Sequence, residues 1–208
     1  MFENRRDAGR QLAARLLPLG LQRPIVIALP RGGVPVAVEV AAALGARLDV
    51  LAVRKLGAPR NPELAVGALA EDGTAVVAVD IAGHVGMTQS QLDRVVAREQ
   101  GELVRRVARY RDGRPSLEVA GRTVVVVDDG LATGMTDLAA VRALRGRGVE
   151  TIVVAVPVGS RQAVQLLRPE VETVVCVATP EPLHSVGQWY RDFSPTTDAD
   201  VLALLASG

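Results

Sequence analysis

An unbroken run of valines followed by two aspartates constrains this chain more than any other feature. Val124 to Val127 stand directly before Asp128 and Asp129, and a turn rich in glycine and threonine follows. Consecutive β-branched residues favour a strand that is covered on both faces, as in a parallel sheet with helices on either side. Beyond the turn, apolar residues in 137–147 repeat with helical spacing. The pattern predicts a strand, a turn and a helix, with both acids at the carboxyl end of the strand.

The predicted turn has the chemistry of a phosphate site. Unpaired backbone N–H groups and the positive end of the helix dipole attract an anion at a helix N-terminus, and Gly134 lets the backbone approach without a Cβ. Thr133 and Thr136 add two hydroxyls, while Asp128 and Asp129 can accept hydrogen bonds from two neighbouring ribose hydroxyls. The simpler alternative is that these residues only cap the helix. Capping does not require the whole set, so the pattern favours a site for a sugar phosphate.

Residues 128–136 resemble the phosphoribosyl pyrophosphate signature of type I phosphoribosyltransferases, in which two acids and three variable residues precede Thr-Gly-x-Thr. In that family the acids hold the ribose hydroxyls and the turn holds the 5′-phosphate. The resemblance implies that Asp128 and Asp129 act in catalysis. It also implies that the following turn binds the substrate, through Gly130, Leu131, Ala132, Thr133, Gly134, Met135 and Thr136.

A second glycine turn follows another predicted strand. The apolar run 24–29 leads to Arg31, Gly32 and Gly33, and a helical pattern over 34–45 comes next. Adjacent glycines allow a tight loop with inward-facing amides, a concavity suited to pyrophosphate, and Arg31 adds positive charge. An Arg-Gly-Gly sequence by itself usually marks an ordinary turn. In the family the equivalent turn contacts pyrophosphate, often through a strained or cis peptide, so the resemblance assigns these three residues to substrate binding.

The only lysine of the chain, Lys55, follows Arg54 at the end of an apolar run that begins at residue 48. A coding bias towards arginine explains the general shortage of lysine but not this exception. An ammonium on a flexible stem behaves differently from a planar guanidinium, so the exception indicates a task that arginine cannot perform. Adenine and orotate phosphoribosyltransferases carry a similar pair that faces the pyrophosphate. The resemblance therefore implies a substrate-binding Arg54 and a catalytic Lys55.

Strands and helices alternate along most of the chain. The apolar patterns predict an opening helix through residue 17, strands near 24–29, 48–54, 122–128, 150–157 and 172–177, and helices near 34–45, 136–147 and 160–168. Such alternation predicts an α/β fold with a doubly wound, mostly parallel sheet flanked by helices. The 208 residues fit a single domain, with its core over about 24–177 and a small C-terminal hood. All three motifs then emerge at the carboxyl edge of the sheet, where such folds bind ligands.

An insertion over about 65–118 separates the second and third core strands. It predicts a hairpin over 65–70 and 74–81 with Asp-Gly at the turn, and then a charged helix that Thr88 opens with a capping-box pattern. Towards its end the helix carries Arg105, Arg106, Arg109, Arg111 and Arg114. A solvated helix face is one explanation for these arginines. The mobile catalytic loop that the family carries in this part of the chain is the other.

The hood is the segment 180–195, which contains most of the aromatic residues of the chain. In the family a small hood over the site selects the acceptor base. The resemblance therefore predicts that the rings of Trp189 and Tyr190 stack on a heterocycle. Alternatively, Trp189 and Phe193 anchor a C-terminal helix over 198–205.

Composition and charge exclude several classes of function. The net charge is +1, from 24 basic and 23 acidic residues, which gives no sign of a nucleic-acid surface. No segment has the apolar length of a membrane span or a signal, and the lone Cys176 suits a core position, so we expect a cytoplasmic protein. His84 and His184 are too isolated for a metal cage. A divalent ion, Mg²⁺, should instead arrive with substrate phosphates, with Asp128 or Asp129 as its protein ligand.

The motifs and the resemblance together predict transfer of ribose 5-phosphate from phosphoribosyl pyrophosphate to a small nitrogenous base, with release of pyrophosphate. Ala132 stands where hypoxanthine-guanine enzymes have an aspartate for the purine N7, which argues against a 6-oxopurine acceptor. The family also leaves open a homodimer, and a member without transfer activity that senses phosphoribosyl pyrophosphate or nucleotides. A phosphate-ester hydrolase with metal-binding acids is a third hypothesis, against which the scarce histidine and the lack of a third clustered acid argue.

Overall fold

Five parallel strands form the central sheet of the computed structural model, which describes residues 1–59, 61–111 and 115–206 apart from the side chains of 62 and 63. With strands numbered in chain order, their spatial order is β2, Arg47–Val50; β1, Ile25–Ala28; β6, Thr123–Val127; β7, Thr151–Val158; and β8, Thr173–Ala178. The flanking helices are α1, Arg5–Leu16; α2, Gly33–Leu44; α5, Met135–Gly146; α6, Arg161–Leu167; and α7, Asp198–Ala206. This order confirms the predicted doubly wound sheet. Within the described ranges, no helix is both long and apolar enough to cross a membrane.

The valine strand β6 lies between β1 and β7 and is covered on both faces. Val124 and Val126 pack in the cluster that contains α5 and α6, whereas Val125 and Val127 pack in the cluster that contains α1 and α2. All four side chains are fully buried. Complete burial of a valine side chain stabilises a fold by about 1.5 kcal/mol or more. The uninterrupted apolar run therefore forms the centre of the sheet, and it places the acid pair at the carboxyl edge.

A second sheet of three antiparallel strands accounts for the first half of the insertion. Its strands are β3, Val53–Ala58; β4, Asn61–Ala70; and β5, Ala75–Val77. The single strand predicted over 48–54 is therefore wrong. Leu51 N–H still bonds to the Ala28 carbonyl of the central sheet at 3.0 Å, but the Ala52 carbonyl accepts Glu71 N–H from the small sheet at 3.0 Å. The chain changes sheets between Leu51 and Ala52, and no break in the apolar run marks that change.

The predicted hairpin is present, with Gly73 at a φ of 91° in its turn. Its second strand is shorter than the predicted 74–81. β5 ends at Val77, and Val79–His84 form the short helix α3. Val79 is 76% exposed, so its apolar side chain does not mark a buried strand.

The second half of the insertion is helix α4, Gln89–Arg111, which packs on the small sheet through Val95 and Leu103. Its capping box is confirmed, since Thr88 N–H donates to Gln91 Oε1 at 2.9 Å and Gln91 N–H donates to Thr88 Oγ1 at 3.3 Å. Of the predicted basic set, Arg105 pairs with Glu102, Arg109 with Asp198 and Arg111 with Glu71, while Arg114 lies outside the described residues.

Candidate active site

The two predicted turns meet at the carboxyl edge of the sheet, because β1 and β6 are neighbouring parallel strands. A Cβ built on Gly32 would lie 1.9 Å from Asp129 Oδ2. One built on Gly33 would lie 2.6 Å from the Val127 carbonyl oxygen. Real side chains do not approach so closely, so the turn needs glycine at both positions. The Pro30–Arg31 peptide is cis, and the first turn presents its backbone directly to the acids.

The turn between β6 and α5 is held in shape by the connection between β7 and α6. Leu131 N–H donates to the Val158 carbonyl at 2.9 Å, and Ser160 N–H donates to the Leu131 carbonyl at 2.9 Å. The Ser160 hydroxyl donates to the Ala132 carbonyl at 2.8 Å. Gly134 then caps α5 at a φ of 76°, a left-handed value that favours glycine. The N–H groups of the first turn of α5 point out of this helix end, where a phosphate can accept them.

The remaining residues of this turn differ in their exposure. Thr133 is exposed, and Met135 and Thr136 are half-buried in the first turn of α5. Gly130 lies beneath the hood, because a Cβ built on it would be 2.5 Å from Val186 Cγ1. The turn is therefore enclosed by α6 on one side and by the hood on the other. Sequence reasoning missed Ser160 and Val186, which hold it there.

The acid pair at the end of β6 is electrostatically costly. Asp129 N–H donates to Asp128 Oδ1 at 2.7 Å. Burial raises the pKa of Asp128 well above its usual range, and the negative charges of Asp129 and Asp137 raise it further. Burial also raises the pKa of Asp129, against the opposing effect of the Arg5 guanidinium. Such carboxylates gain from nearby hydroxyl donors, which a sugar with two adjacent hydroxyls would supply.

A third acid, Asp137, lies close to the pair in the first turn of α5. It is only 2% exposed, and its Oδ1 has no hydrogen-bond partner among the described residues. Burial raises the pKa of Asp137 to about 7, and the charge of Asp129 acts in the same direction. Sequence reasoning took this residue only as part of a helix start and did not place it near the acid pair. Nevertheless, no three His, Cys, Asp or Glu side chains in the described ranges are grouped to hold a metal ion.

Arg5 is a further residue of the site that sequence reasoning missed. It is the first residue of α1, and its Nε lies 2.8 Å from Asp129 Oδ2. The two side chains are only 11% and 16% exposed. No local pattern could have indicated this pair, because 124 positions separate the two residues along the chain.

The hood supports the acid pair from the other side. Tyr190 is 5% exposed, and its hydroxyl donates to the Asp129 carbonyl at 2.6 Å. Its ring lies 5.4 Å from that of Phe2 and 4.9 Å from that of Phe193. In this arrangement the ring of Tyr190 is buried under the site and is not offered to a base, so we assign it to support of Asp129. Trp189 is half-buried, and its role at the base stays a prediction.

The alternative prediction for the hood aromatics was an anchor for the C-terminal helix, and the packing differs from it. Trp189 and Phe193 lie in a cluster with Phe2 and Tyr190. The Trp189 carbonyl accepts Phe2 N–H at 2.7 Å. The aromatics therefore hold the N-terminal segment, whereas Val201 of α7 packs with α1 and α2.

The three predicted basic residues lie in different surroundings. Arg31 is 47% exposed and lies 4.0 Å from Asp198. Arg54 bonds to the buried Glu99 of α4, with Nε and a terminal nitrogen 2.8 and 2.7 Å from Oε2. Side chains alternate along a strand, so Lys55 lies on the face of β3 opposite to Arg54. Lys55 pairs with Ala68 of β4, which packs in the cluster that contains α5. Residues 53–55 and 57 of β3 line a hollow of about 460 Å³ together with Arg98, Glu99 and Arg106.

Comparison with known proteins decides the family. Residues 3–179 match the family model of the phosphoribosyl transferase domain. The chain belongs to the type I phosphoribosyltransferase family. Two Mycobacterium tuberculosis proteins, named as candidate phosphoribosyl transferases, are each 47% identical to it over 205 residues. These matches cover 99% of this chain but 46% of each relative. The chain therefore spans about half the length of these relatives.

Solved structures agree with the fold of this phosphoribosyltransferase-family chain. The crystal structure of TT1426 from Thermus thermophilus is 46% identical, with a TM-score of 0.84 over 100% of this chain and 98% of that one. A Neisseria gonorrhoeae protein solved with bound ppGpp is 13% identical, with a TM-score of 0.53 over 98% of this chain and 92% of its own. The second similarity concerns the fold alone.

The two acids have the chemistry to act as ligands of a magnesium ion. Mg²⁺ prefers oxygen ligands and is commonly held by one or two carboxylates together with substrate phosphates. Asp128 and Asp129 supply carboxylate oxygens, and the negative charges beside Asp128 raise the pKa of its carboxyl beyond the effect of burial.

Proposed function

We propose that this chain transfers ribose 5-phosphate from phosphoribosyl pyrophosphate to a nitrogenous base and releases pyrophosphate. One observation carries the proposal, namely the meeting of a buried acid pair with two glycine turns at one edge of the sheet. Gly32 lies against Asp129, and the phosphate turn begins at Gly130. Sugar hydroxyls, a 5′-phosphate and a pyrophosphate then each have a partner within one site.

The arrangement supports bond breaking at the anomeric carbon. The N-terminus of α5 would hold the 5′-phosphate, and Asp128 and Asp129 would fix the ribose through its hydroxyls. When pyrophosphate leaves, positive charge develops on the anomeric carbon, and nearby carboxylates stabilise it. Arg31 and Lys55 would stabilise the negative charge of the leaving group. Bound Mg²⁺ would add positive charge at the pyrophosphate, with Asp128 or Asp129 as its protein ligand.

The acceptor is expected to bind beside the hood and the turn that follows β6. Val186 reaches over Gly130, and Trp189 is a half-buried aromatic residue of the hood. Ala132, which is exposed, replaces the aspartate that a 6-oxopurine acceptor would need. We therefore expect activity with a base other than hypoxanthine or guanine.

The proposal is tested by pyrophosphate release from phosphoribosyl pyrophosphate and Mg²⁺, with purines, pyrimidines and small nitrogen heterocycles added singly. Release that depends on one base would support transfer and identify the acceptor. A rate of pyrophosphate release that no added base changes would argue against transfer. Asp128→Asn with Asp129→Asn should abolish release, whereas Asp80→Asn with Asp93→Asn, at two exposed positions, should not.

A second candidate function is binding without transfer, in a protein that senses phosphoribosyl pyrophosphate or a nucleotide. The Arg5–Asp129 pair favours it, because an internal cation already neutralises one of the two acids. The Neisseria protein, whose fold is similar, was solved with bound ppGpp. Tight binding of phosphoribosyl pyrophosphate or ppGpp, with no pyrophosphate release for any base, would favour the sensor over the transferase.

A further inference from the structure

A cation from the N-terminal helix is built into the candidate donor site. Arg5 Nε donates to Asp129 Oδ2 at 2.8 Å, and the Arg5 side chain is 11% exposed. Neighbouring Arg6 gives a direct contrast, because its side chain is 55% exposed and its nearest acid, Glu39, lies 3.3 Å away on α2. Two consecutive arginines of one helix therefore have different surroundings, and only Arg5 contacts the acid pair.

Arg5 is fixed by the hood as well as by Asp129. One terminal nitrogen of its guanidinium donates to the Ser194 carbonyl at 2.8 Å. The guanidinium carbon lies 3.8 Å from the centre of the Phe193 ring, a stacked cation–π contact. A planar guanidinium can make these three contacts at once, whereas a lysine ammonium cannot stack while it bonds in two directions.

The backbone that carries Arg5 is also tied to the hood. Phe2 N–H donates to the Trp189 carbonyl at 2.7 Å, and Arg191 N–H donates to the Phe2 carbonyl at 2.8 Å. Asp192 N–H donates to the Glu3 carbonyl at 2.9 Å. These bonds start α1 at a defined place beside the hood, so Arg5 reaches Asp129 from a rigid base.

The charge balance of the site shows what this contact does. Asp128, Asp129 and Asp137 form a buried group of three carboxyls in which burial raises each pKa. The charges of Asp129 and Asp137 raise the pKa of Asp128 further, and the Arg5 charge lowers the pKa of both Asp128 and Asp129. The donor brings further negative charge in its phosphate groups. Arg5 occupies Oδ2 of Asp129, which leaves Oδ1 to accept a ribose hydroxyl.

We propose that Arg5 is a positioning residue that acts on the donor through Asp129. It fixes the Asp129 carboxylate against the hood and reduces the repulsion between this carboxylate and the donor phosphates. This inference rests on the proposed function, because it takes phosphoribosyl pyrophosphate as the ligand.

The test is calorimetric binding of phosphoribosyl pyrophosphate in the presence of Mg²⁺ to the full chain. Arg5→Gln should weaken binding by about tenfold or more, since it leaves a buried carboxylate unpaired. Arg5→Lys should fall between this variant and the wild type. Arg6→Gln, the matched control on the same helix, should bind within about twofold of the wild type. Wild-type affinity, or tighter binding, in a folded Arg5→Gln protein would overturn the proposal.

A double-mutant cycle separates positioning from a general structural effect. In an Asp129→Asn background, Arg5→Gln should change donor affinity by less than about twofold, because its partner is already gone. An equal loss in both backgrounds would overturn the role through Asp129. If Arg5→Gln does not fold, Arg5→Lys decides, with wild-type affinity counting against the proposal. Failure of the wild-type protein to bind the donor would instead overturn the proposed function itself.

Discussion

At the scale of single residues, the site depends on glycines that let backbone and carboxylate approach each other. Asp129 Oδ2 would lie 1.9 Å from a Cβ on Gly32, and this crowding joins the turn after β1 to the end of β6. The sequence predicted the glycines and acids as separate turns. Their contact became visible only with the fold, because it depends on how β1 and β6 pair.

Substitution of Gly32 should therefore damage both donor binding and stability. Gly32→Ala forces Asp129 to move, and we expect donor affinity to fall by roughly tenfold or more, with a loss of about 1 to 3 kcal/mol in the free energy of unfolding. Gly101→Ala is the control, since a Cβ there meets nothing within 4 Å inside helix α4. It should stabilise the protein by roughly 0.5 to 1 kcal/mol and leave binding unchanged. Calorimetry and urea unfolding measure both effects. Unaltered donor binding by Gly32→Ala would show that the contact is unimportant.

The buried Asp137 predicts a particular dependence of stability on pH. Its pKa rises from 3.8 to about 7 on folding, so between these values the folded protein binds more protons than the unfolded chain. Stability is therefore lost as pH rises through this window. Asp137→Asn removes this contribution. As pH rises from about 5 to about 8, the free energy of unfolding of the wild type should therefore fall by roughly 2 to 3 kcal/mol more than that of the variant. Urea unfolding without Mg²⁺ measures this difference. Equal pH dependence of the two proteins would contradict the assignment.

At the scale of elements, local patterns predicted most of the central sheet but not the small sheet. The valine run specified β6 because both faces of that strand are covered, and the Thr88–Gln91 capping box specified the start of α4. The strand predicted over 48–54 failed because the switch between sheets at Leu51 and Ala52 is set by partners far along the chain. Periodicity reports which faces are buried, and it does not report which sheet buries them.

The attachment of α4 to the small sheet should depend on Glu99. This carboxylate is 5% exposed and pairs with Arg54 and Arg98, which lower its pKa against the effect of burial. Glu99→Gln should destabilise the protein by about 1 to 2 kcal/mol. This cost is smaller than for a fully buried ion pair, because Arg98 is largely exposed and solvent screens its charge. Glu102→Gln is the control, since its pair with Arg105 lies at the surface, and it should cost less than about 0.5 kcal/mol. Equal unfolding midpoints for the two variants would contradict this role of Glu99.

At the scale of the whole molecule, the two ends of the chain complete the site. The N-terminal segment and the hood form one layer through the Phe2–Tyr190 bridge, and from this layer Arg5 and Tyr190 both reach Asp129. The sequence identified the acids, both turns and the family, because each is a local motif. It could not identify Arg5 or the buried role of Tyr190, because these depend on contacts between distant parts of the chain.

The central claim is that the edge of the sheet with Asp128 and Asp129 binds the donor. The most direct measurement is calorimetric binding of phosphoribosyl pyrophosphate with Mg²⁺ to the wild type and to Asp128→Asn with Asp129→Asn. Hydrogen bonds to charged groups contribute about 1.5 to 3 kcal/mol each, so loss of both carboxylates should weaken binding on the order of 100-fold. Undiminished affinity in a folded double variant would contradict the account.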